Sequence, residues 1–141
     1  MIGGGSVGTR KAATLAHVGA IVTVVSPTVT RELEKLIAAK RVRWLRETFR
    51  AEHLLGVFLA VAATDDDALN AEVVETAAQG GTLACDASSA QRSQLIFGAL
   101  LESDEVTIGV FTGGRDPSLA RRVRDRIARL VDERWRLKRE T

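Results

Sequence analysis

The chain of 141 residues is 45% hydrophobic and 27% charged with a mean hydropathy of +0.03, a balance that supports a buried core and excludes a disordered segment. Its longest apolar run, Phe58 to Ala63, falls far short of the roughly 20 residues that span a bilayer, and the glycine-rich start lacks a signal-peptide layout, so a cytoplasmic protein is expected. One cysteine, Cys85, and two histidines, His17 and His53, exclude an internal disulfide and a Cys/His zinc site, and no resident metal is expected.

The formal net charge of +2 hides an asymmetry. Residues 1–114 carry 10 Lys/Arg against 13 Asp/Glu, whereas residues 115–141 carry 10 against 5. A basic C-terminal helix on a mildly acidic body suits a nucleic acid, an anionic small molecule or a solvated face. Aromatic residues make up only 4%, with no Tyr, so base-stacking platforms are hard to build and nucleic acid is not an expected partner.

In chain order, Gly3-Gly4-Gly5-Ser6-Val7-Gly8 leads into a helix with Ala12, Leu15 and Ala16 inward, closed by Gly19. Ala20 to Val25 is a β-branched run, the pattern of a strand buried on both faces, and Ser26-Pro27 stops it. Only Met1 and Ile2 precede the glycines where a first strand of about five residues is expected. The chain is therefore expected to start late, from an upstream start codon or a deleted segment, with its neighbouring strands' apolar flank exposed. A helix over Val29–Ala39 and a short strand over Val42–Leu45 follow. Val57 to Ala63 is a strand ending in Thr64-Asp65-Asp66-Asp67, where Asp66 or Asp67 caps a helix through Leu69 to Ala78, and Leu83-Ala84-Cys85-Asp86 is another short strand. Strands alternating with helices predict an α/β fold, a Rossmann-like doubly wound parallel sheet whose first strand is missing. Two runs, Gln94–Leu101 and Val106–Phe111, then flank the acidic turn Glu102-Ser103-Asp104-Glu105 as a hairpin. Asp116 is placed to cap a helix from Ser118 to about Lys138, with Pro117 at its first position. The division expected is a Rossmann-like domain over residues 1–96 and a small α+β region over residues 97–141.

Gly3-x-Gly5-x-x-Gly8 is the dinucleotide fingerprint. One glycine makes the tight turn, one lets backbone amides approach a pyrophosphate, and one permits close helix–strand packing. A flexible glycine-rich end is the competing reading, and the helix and buried strand that follow are the context that argues against it. The acid that usually meets the adenosine ribose is replaced by Ser26, which does not discriminate NAD from NADP by charge. Asp65-Asp66-Asp67 reads as a cofactor-side loop at the sheet's C-terminal edge in preference to a metal cluster. Asp86, at the same edge, serves either as a general base or as a partner for the neighbouring loop. Cys85 reads as a buried small hydrophobe, and His17 and His53 as structural or surface residues.

Taken together, Gly3 to Lys11, Val22 to Pro27, Ala62 to Asp66 with Asn70, and Thr112 to Arg121 resemble the siroheme synthase N-terminal module. That family comprises precorrin-2 dehydrogenases, many of which are also sirohydrochlorin ferrochelatases. The resemblance implies a homodimer whose residues 97–141 form an intertwined dimerisation region. It implies NAD held by Gly3, Gly4, Gly5, Ser6, Val7, Ser26, Thr64 and Asp65, and precorrin-2 or sirohydrochlorin as substrate, with Fe2+ as a second substrate in some members. The substrate's carboxylates would meet the turn Thr112-Gly113-Gly114 and Arg121 and Arg124 of the basic helix. The family's Asn-Val-Val-Asp string, whose Asp is the proposed base, aligns without gaps to Cys85-Asp86-Ala87-Ser88 and places Ser88 on the acid position. Serine is a poor base. Either Asp86 takes over, two residues earlier and on the same face of an extended strand about 6.6–6.8 Å away, or catalysis leans on binding and hydride geometry while water collects the proton. A non-catalytic NAD- or tetrapyrrole-binding module is the alternative that Ser88 motivates. The fused family members carry a methyltransferase domain after this module, and methylation is here expected to fall to another protein.

Overall fold

The computed structural model describes residues 1–102 and 106–136, in two compact units, Met1–Leu95 and a second that begins at Ile96. Four parallel strands run through the first unit: β1 (Val22–Val25), β2 (Val42–Leu45), β3 (Leu59–Ala62) and β4 (Leu83–Asp86). β1 pairs with β2 from Val22↔Val42 to Val25↔Leu45, and β3 with β4 from Leu59↔Leu83 to Ala62↔Asp86. Ile2 joins the two pairs through parallel bridges to Val25 and Ala62. On one side Gly3 N donates to Val25 O, and on the other Ile2 N donates to Val61 O and Ala63 N to Ile2 O. The spatial order is thus β2-β1-Ile2-β3-β4, with a residue or two doing the work of a central strand.

Helices cover both faces because the strands alternate between two clusters. Val22 and Val24 turn toward α1 (Ser6–His17) and α2 (Arg31–Ala38), packing with Ala12, Leu33 and Val42. Val25 turns the other way, toward Val73 and Ala77 of α3 (Asp67–Gln79), with Ile2, Ala60, Ala62 and Ala84. This is the doubly wound arrangement expected from strands hydrophobic on both sides.

The expected exposed flank is smaller than the sequence suggests. Val22 and Ala60 are buried, while Ile21 is 100% and Phe58 82% exposed, because β1 and β3 begin one residue after each of them. The apolar runs therefore overstate the strands at their N-terminal ends. Gly19 ends α1 in a left-handed conformation, φ +86°, where its amide reaches Ala16 O.

In the second unit, β5 (Ala99–Glu102) and β6 (Thr107–Val110) pair antiparallel, and α4 spans Pro117–Arg136. The hairpin tip at Ser103, Asp104 and Glu105, and the predicted helix end at Leu137 and Lys138, lie outside the described residues. Phe111 lies across Gly98 and Gly109, where an added Cβ would stand 2.7 and 2.8 Å from its ring. Asp116 Oδ1 caps α4 by accepting from Leu119 N at 2.8 Å.

Candidate functional site

The glycine turn sits between Ile2 and α1, at the C-terminal ends of the parallel strands, and each glycine has its own reason. Gly3 adopts φ +105°, and a Cβ there would lie 2.4 Å from Ala63 O. A Cβ on Gly8 would lie 2.2 Å from Gly3 O, so α1 packs onto the turn only because Gly8 has none. One on Gly4 would meet Thr28 O at 2.4 Å. Gly5 differs, since no described atom comes within 4 Å of where its Cβ would stand. Gly5 is also the N-cap of α1, and among the described residues no side chain caps that end and no acid occupies its first turn. The first helical bond runs from Thr9 N to Gly5 O, which leaves the preceding amides to an incoming acceptor, with Ser6 and Val7 exposed beside them. An open, uncapped helix N-terminus over a cradle at Gly5 fits a pyrophosphate.

Ser26, at the end of β1, is buried, and its hydroxyl accepts from Gly4 N at 3.1 Å. Its carbonyl accepts from Trp44 Nε1 at 2.9 Å, and Thr30 N donates to Gly4 O at 3.1 Å. Ser26 thus braces the glycine turn from inside, and the stretch Ser26-Pro27-Thr28-Val29-Thr30 offers no carboxylate to a ribose.

A set of hydrogen bonds runs from Thr64, against which that turn packs, to the Asp86 carboxylate. Gly3 packs on Ala63 and Thr64. Thr64 N and Oγ1 both reach Asn70 Oδ1, at 3.1 and 2.8 Å, and Asn70 Nδ2 returns to Thr64 O at 3.1 Å and touches Ser88 Oγ at 3.4 Å. Asn70 is only 1% exposed. Ser88 donates to Asp86 Oδ1 twice, from its backbone at 2.8 Å and its hydroxyl at 2.5 Å. Asp86 Oδ2 accepts from Arg92 Nε at 2.6 Å, and the other edge of that guanidinium forms a fork on Asp67, through Nη1 at 3.1 Å and through Nη2. Asp65 is exposed, while Asp66 caps α3 by accepting from Leu69 N at 3.0 Å.

Ser88 does not continue an extended strand. β4 ends at Asp86, and the chain bends so that Ser88 folds back onto the Asp86 carboxylate. The two residues form one hydrogen-bonded unit, so the same-face spacing expected of an extended strand does not apply.

The electrostatics follow from these contacts. Burial pushes the Asp86 carboxyl up, but donation from Ser88 and Arg92 outweighs it and holds the group below the usual carboxylate range. Hydrogen bonding from Arg92 likewise holds Asp67 low, and the two carboxylates together raise Arg92. Asp86 is a fixed anion whose side chain is 0% exposed, whereas Asp67 is 73% exposed. Burial pushes the Cys85 thiol up, which suits a packing residue and not a nucleophile.

In the second unit Thr112 Oγ1 donates to Asp116 O at 2.8 Å, and Gly113 and Gly114 have φ +62° and +76°, so this turn is spent on starting α4. Arg124 donates to Leu100 O at 3.1 Å and to Asp125 at 2.6 Å, which ties α4 to β5. Arg121 is exposed. Asn70 was legible only inside a motif string. Arg92 and Ser93, whose hydroxyl accepts from Asp86 N at 2.9 Å, carry no signal in the sequence.

A family model described as putative NAD(P)-binding matches residues 1–99. The chain belongs to that family. It is 36% identical over 133 residues to siroheme synthase 1 of Aeromonas salmonicida and 37% identical over 131 residues to siroheme synthase 1 of Yersinia enterocolitica, matches that cover 94% and 93% of the chain. It spans about 28% of the length of these relatives. Among solved structures it is similar to SirC, precorrin-2 dehydrogenase, with a TM-score of 0.77 and 30% identity over 90% of this chain and 62% of that one.

Proposed function

We propose that this chain is an NAD-dependent precorrin-2 dehydrogenase that oxidises precorrin-2 to sirohydrochlorin. The observation that carries the reading is the run of hydrogen bonds from Thr64, against which the glycine turn packs, through Asn70 and Ser88 to Asp86, with a phosphate cradle and a buried anion on one sheet edge. The likeness to siroheme synthases and to SirC supports the choice of substrate.

When bound, NAD supplies the hydride acceptor. Gly3, Gly4, Gly5, Ser6, Val7 and Thr64 hold and position it, with Ser26 keeping the turn in shape and Asp65 at the rim. Loss of a hydride from one carbon and a proton from its neighbour creates the new double bond, and the protein must take the proton. Asp86 has both oxygens engaged, so the exposed Ser88 hydroxyl is the group that meets substrate. Ser88 accepts the substrate proton as it passes its own along the 2.5 Å bond to Asp86. Arg121, exposed on α4, would attract the substrate's carboxylates by charge, while the Thr112-Gly113-Gly114 turn and Arg124 start and fasten α4. A cytoplasmic site fits a dinucleotide-dependent reaction and an unpaired buried thiol.

Homodimerisation through the second unit is part of the same reading. Ile96, Phe111, Leu119, Val123 and Leu130 are each 38–62% exposed, an apolar set that a second copy would cover. Sedimentation at micromolar concentration should give twice the chain mass, and a monomer would remove this element. Insertion of Fe2+ would call on Ser88 and Asp86 for the pyrrole protons. Purified protein given precorrin-2 and NAD should produce NADH absorbance, and no signal despite folded protein overturns the dehydrogenase. The low Asp86 carboxyl favours a second reading, a non-catalytic NAD- or tetrapyrrole-binding module. Normal binding with no turnover, unaffected by Asp86→Ala, would select it.

A further inference from the structure

We propose that Arg92 is a receptor for a carboxylate of the substrate and that Asp67 occupies it in the substrate's absence, so that Asp67 acts as a built-in competitor. This rests on the reading of the substrate as a polycarboxylated tetrapyrrole. Three observations carry it. The guanidinium is fixed from below, because its Nε binds an Asp86 oxygen whose side chain is fully buried. Its outer edge, Nη1 and Nη2, is presented as a two-donor fork, the geometry that matches a carboxylate. The carboxylate now in that fork belongs to Asp67, which is 73% exposed, at the first position of α3.

The magnitudes favour exchange. An ion pair with an exposed partner is weak, so an incoming carboxylate displaces Asp67 at little cost. The guanidinium itself is already ordered by Asp86 and need not be immobilised on binding. Two aspartates share one arginine here, so the local charge is net negative until Asp67 swings away. Ser88 Oγ lies 3.4 Å from Arg92 Nη2, so a carboxylate seated in the fork stands beside the hydroxyl assigned to proton transfer. Binding and chemistry would then share one anchor.

The test uses uroporphyrin, a polycarboxylated tetrapyrrole, titrated by fluorescence quenching against the full chain, with NAD binding measured in parallel. Asp67→Asn empties the fork without touching Asp86 and should tighten uroporphyrin binding about two- to five-fold, the range of one exposed ion pair. Arg92→Gln should weaken it by about tenfold, the scale of one lost charge-assisted pair. Asp67→Asn placed on Arg92→Gln should then give no further gain. Arg92→Lys, which keeps the charge and loses the fork, should fall between wild type and Arg92→Gln and guards against a misfolded glutamine variant. An equal gain from Asp67→Asn in both backgrounds would mean that only the general field matters, and the receptor would be wrong. Unchanged binding in Arg92→Gln overturns it as well. If either occurs while NAD binding and NADH production persist, the dehydrogenase reading survives. Absent NADH production with the Arg92 pattern intact would instead sink the reaction and keep the receptor.

Discussion

The two units solve opposite problems with the same kinds of residue. In residues 1–95 the polar groups look inward at one another: Ser26 holds Gly4, Asn70 holds Thr64, and Arg92 holds Asp86 and Asp67. Among the described residues no buried side-chain nitrogen or oxygen lacks a partner. From Ile96 on, the polar groups go into starting and fastening α4, while Leu119, Val123, Leu130 and Phe111 stand exposed. A site that must hold a charged ligand is built where the backbone is already fixed, whereas the polar contacts of the second unit serve its own helix. Substitutions should therefore separate the two.

The largest expected effect is at Gly8. A methyl there meets the Gly3 carbonyl at 2.2 Å, and neither backbone segment can yield without lifting α1 from the sheet. Gly8→Ala should cost about 3 kcal/mol, the upper end for overpacking, and abolish dinucleotide binding, as read by thermal melts and NAD titration. Retained NAD affinity would show that the turn is softer than its contacts imply.

Next comes Arg92→Gln, which strands a buried carboxylate and should cost about 2 kcal/mol near neutral pH. The sign of its pH dependence follows from the depressed Asp86 carboxyl. That stabilisation is present above the unfolded value of about 3.9 and is lost as pH falls through the lower folded value. Acid titrations of stability should thus show a fall below about pH 4 in the wild type that Arg92→Gln flattens. A parallel fall in both proteins would assign the acid limb to other carboxylates.

In the second unit Asp116→Ala removes the cap of α4 and should cost about 1 kcal/mol. Since the nucleotide cradle lies wholly in residues 1–95, NAD affinity should be unchanged. A joint loss of stability and NAD binding would break the separation drawn between the units.

What the sequence could show was what local spacing controls. The glycine turn, the alternation of strands and helices, the hairpin and the Asp116-Pro117 start of α4 each rest on residues a few positions apart. Strand ends were less legible: Ile21 and Phe58 belong to apolar runs, yet pairing begins only after them. Arg92 was invisible because its partners Asp86 and Asp67 lie 6 and 25 residues away and the loop between Ser88 and Ser93 has no period to read. The direction of the Ser26 hydroxyl, inward to Gly4, likewise depends on a contact 22 residues distant.

The smallest expected effect on stability is the sharpest on function. Gly5→Ala adds a methyl where no described atom lies within 4 Å and where φ is −74°, a value alanine adopts freely. The fold should accept it within about 0.5 kcal/mol, as surface substitutions usually do. Yet the methyl would stand in the cradle, over the amides that open α1, where a pyrophosphate must come into hydrogen-bond range. NAD affinity should fall at least tenfold, about 1.4 kcal/mol, while the melting curve hardly moves. Gly8→Ala and Gly5→Ala then differ by one turn of chain and by mechanism, the first acting through packing and the second through the ligand alone. If Gly5→Ala binds NAD as the wild type does, the phosphates do not approach this turn, and the cradle has been misplaced.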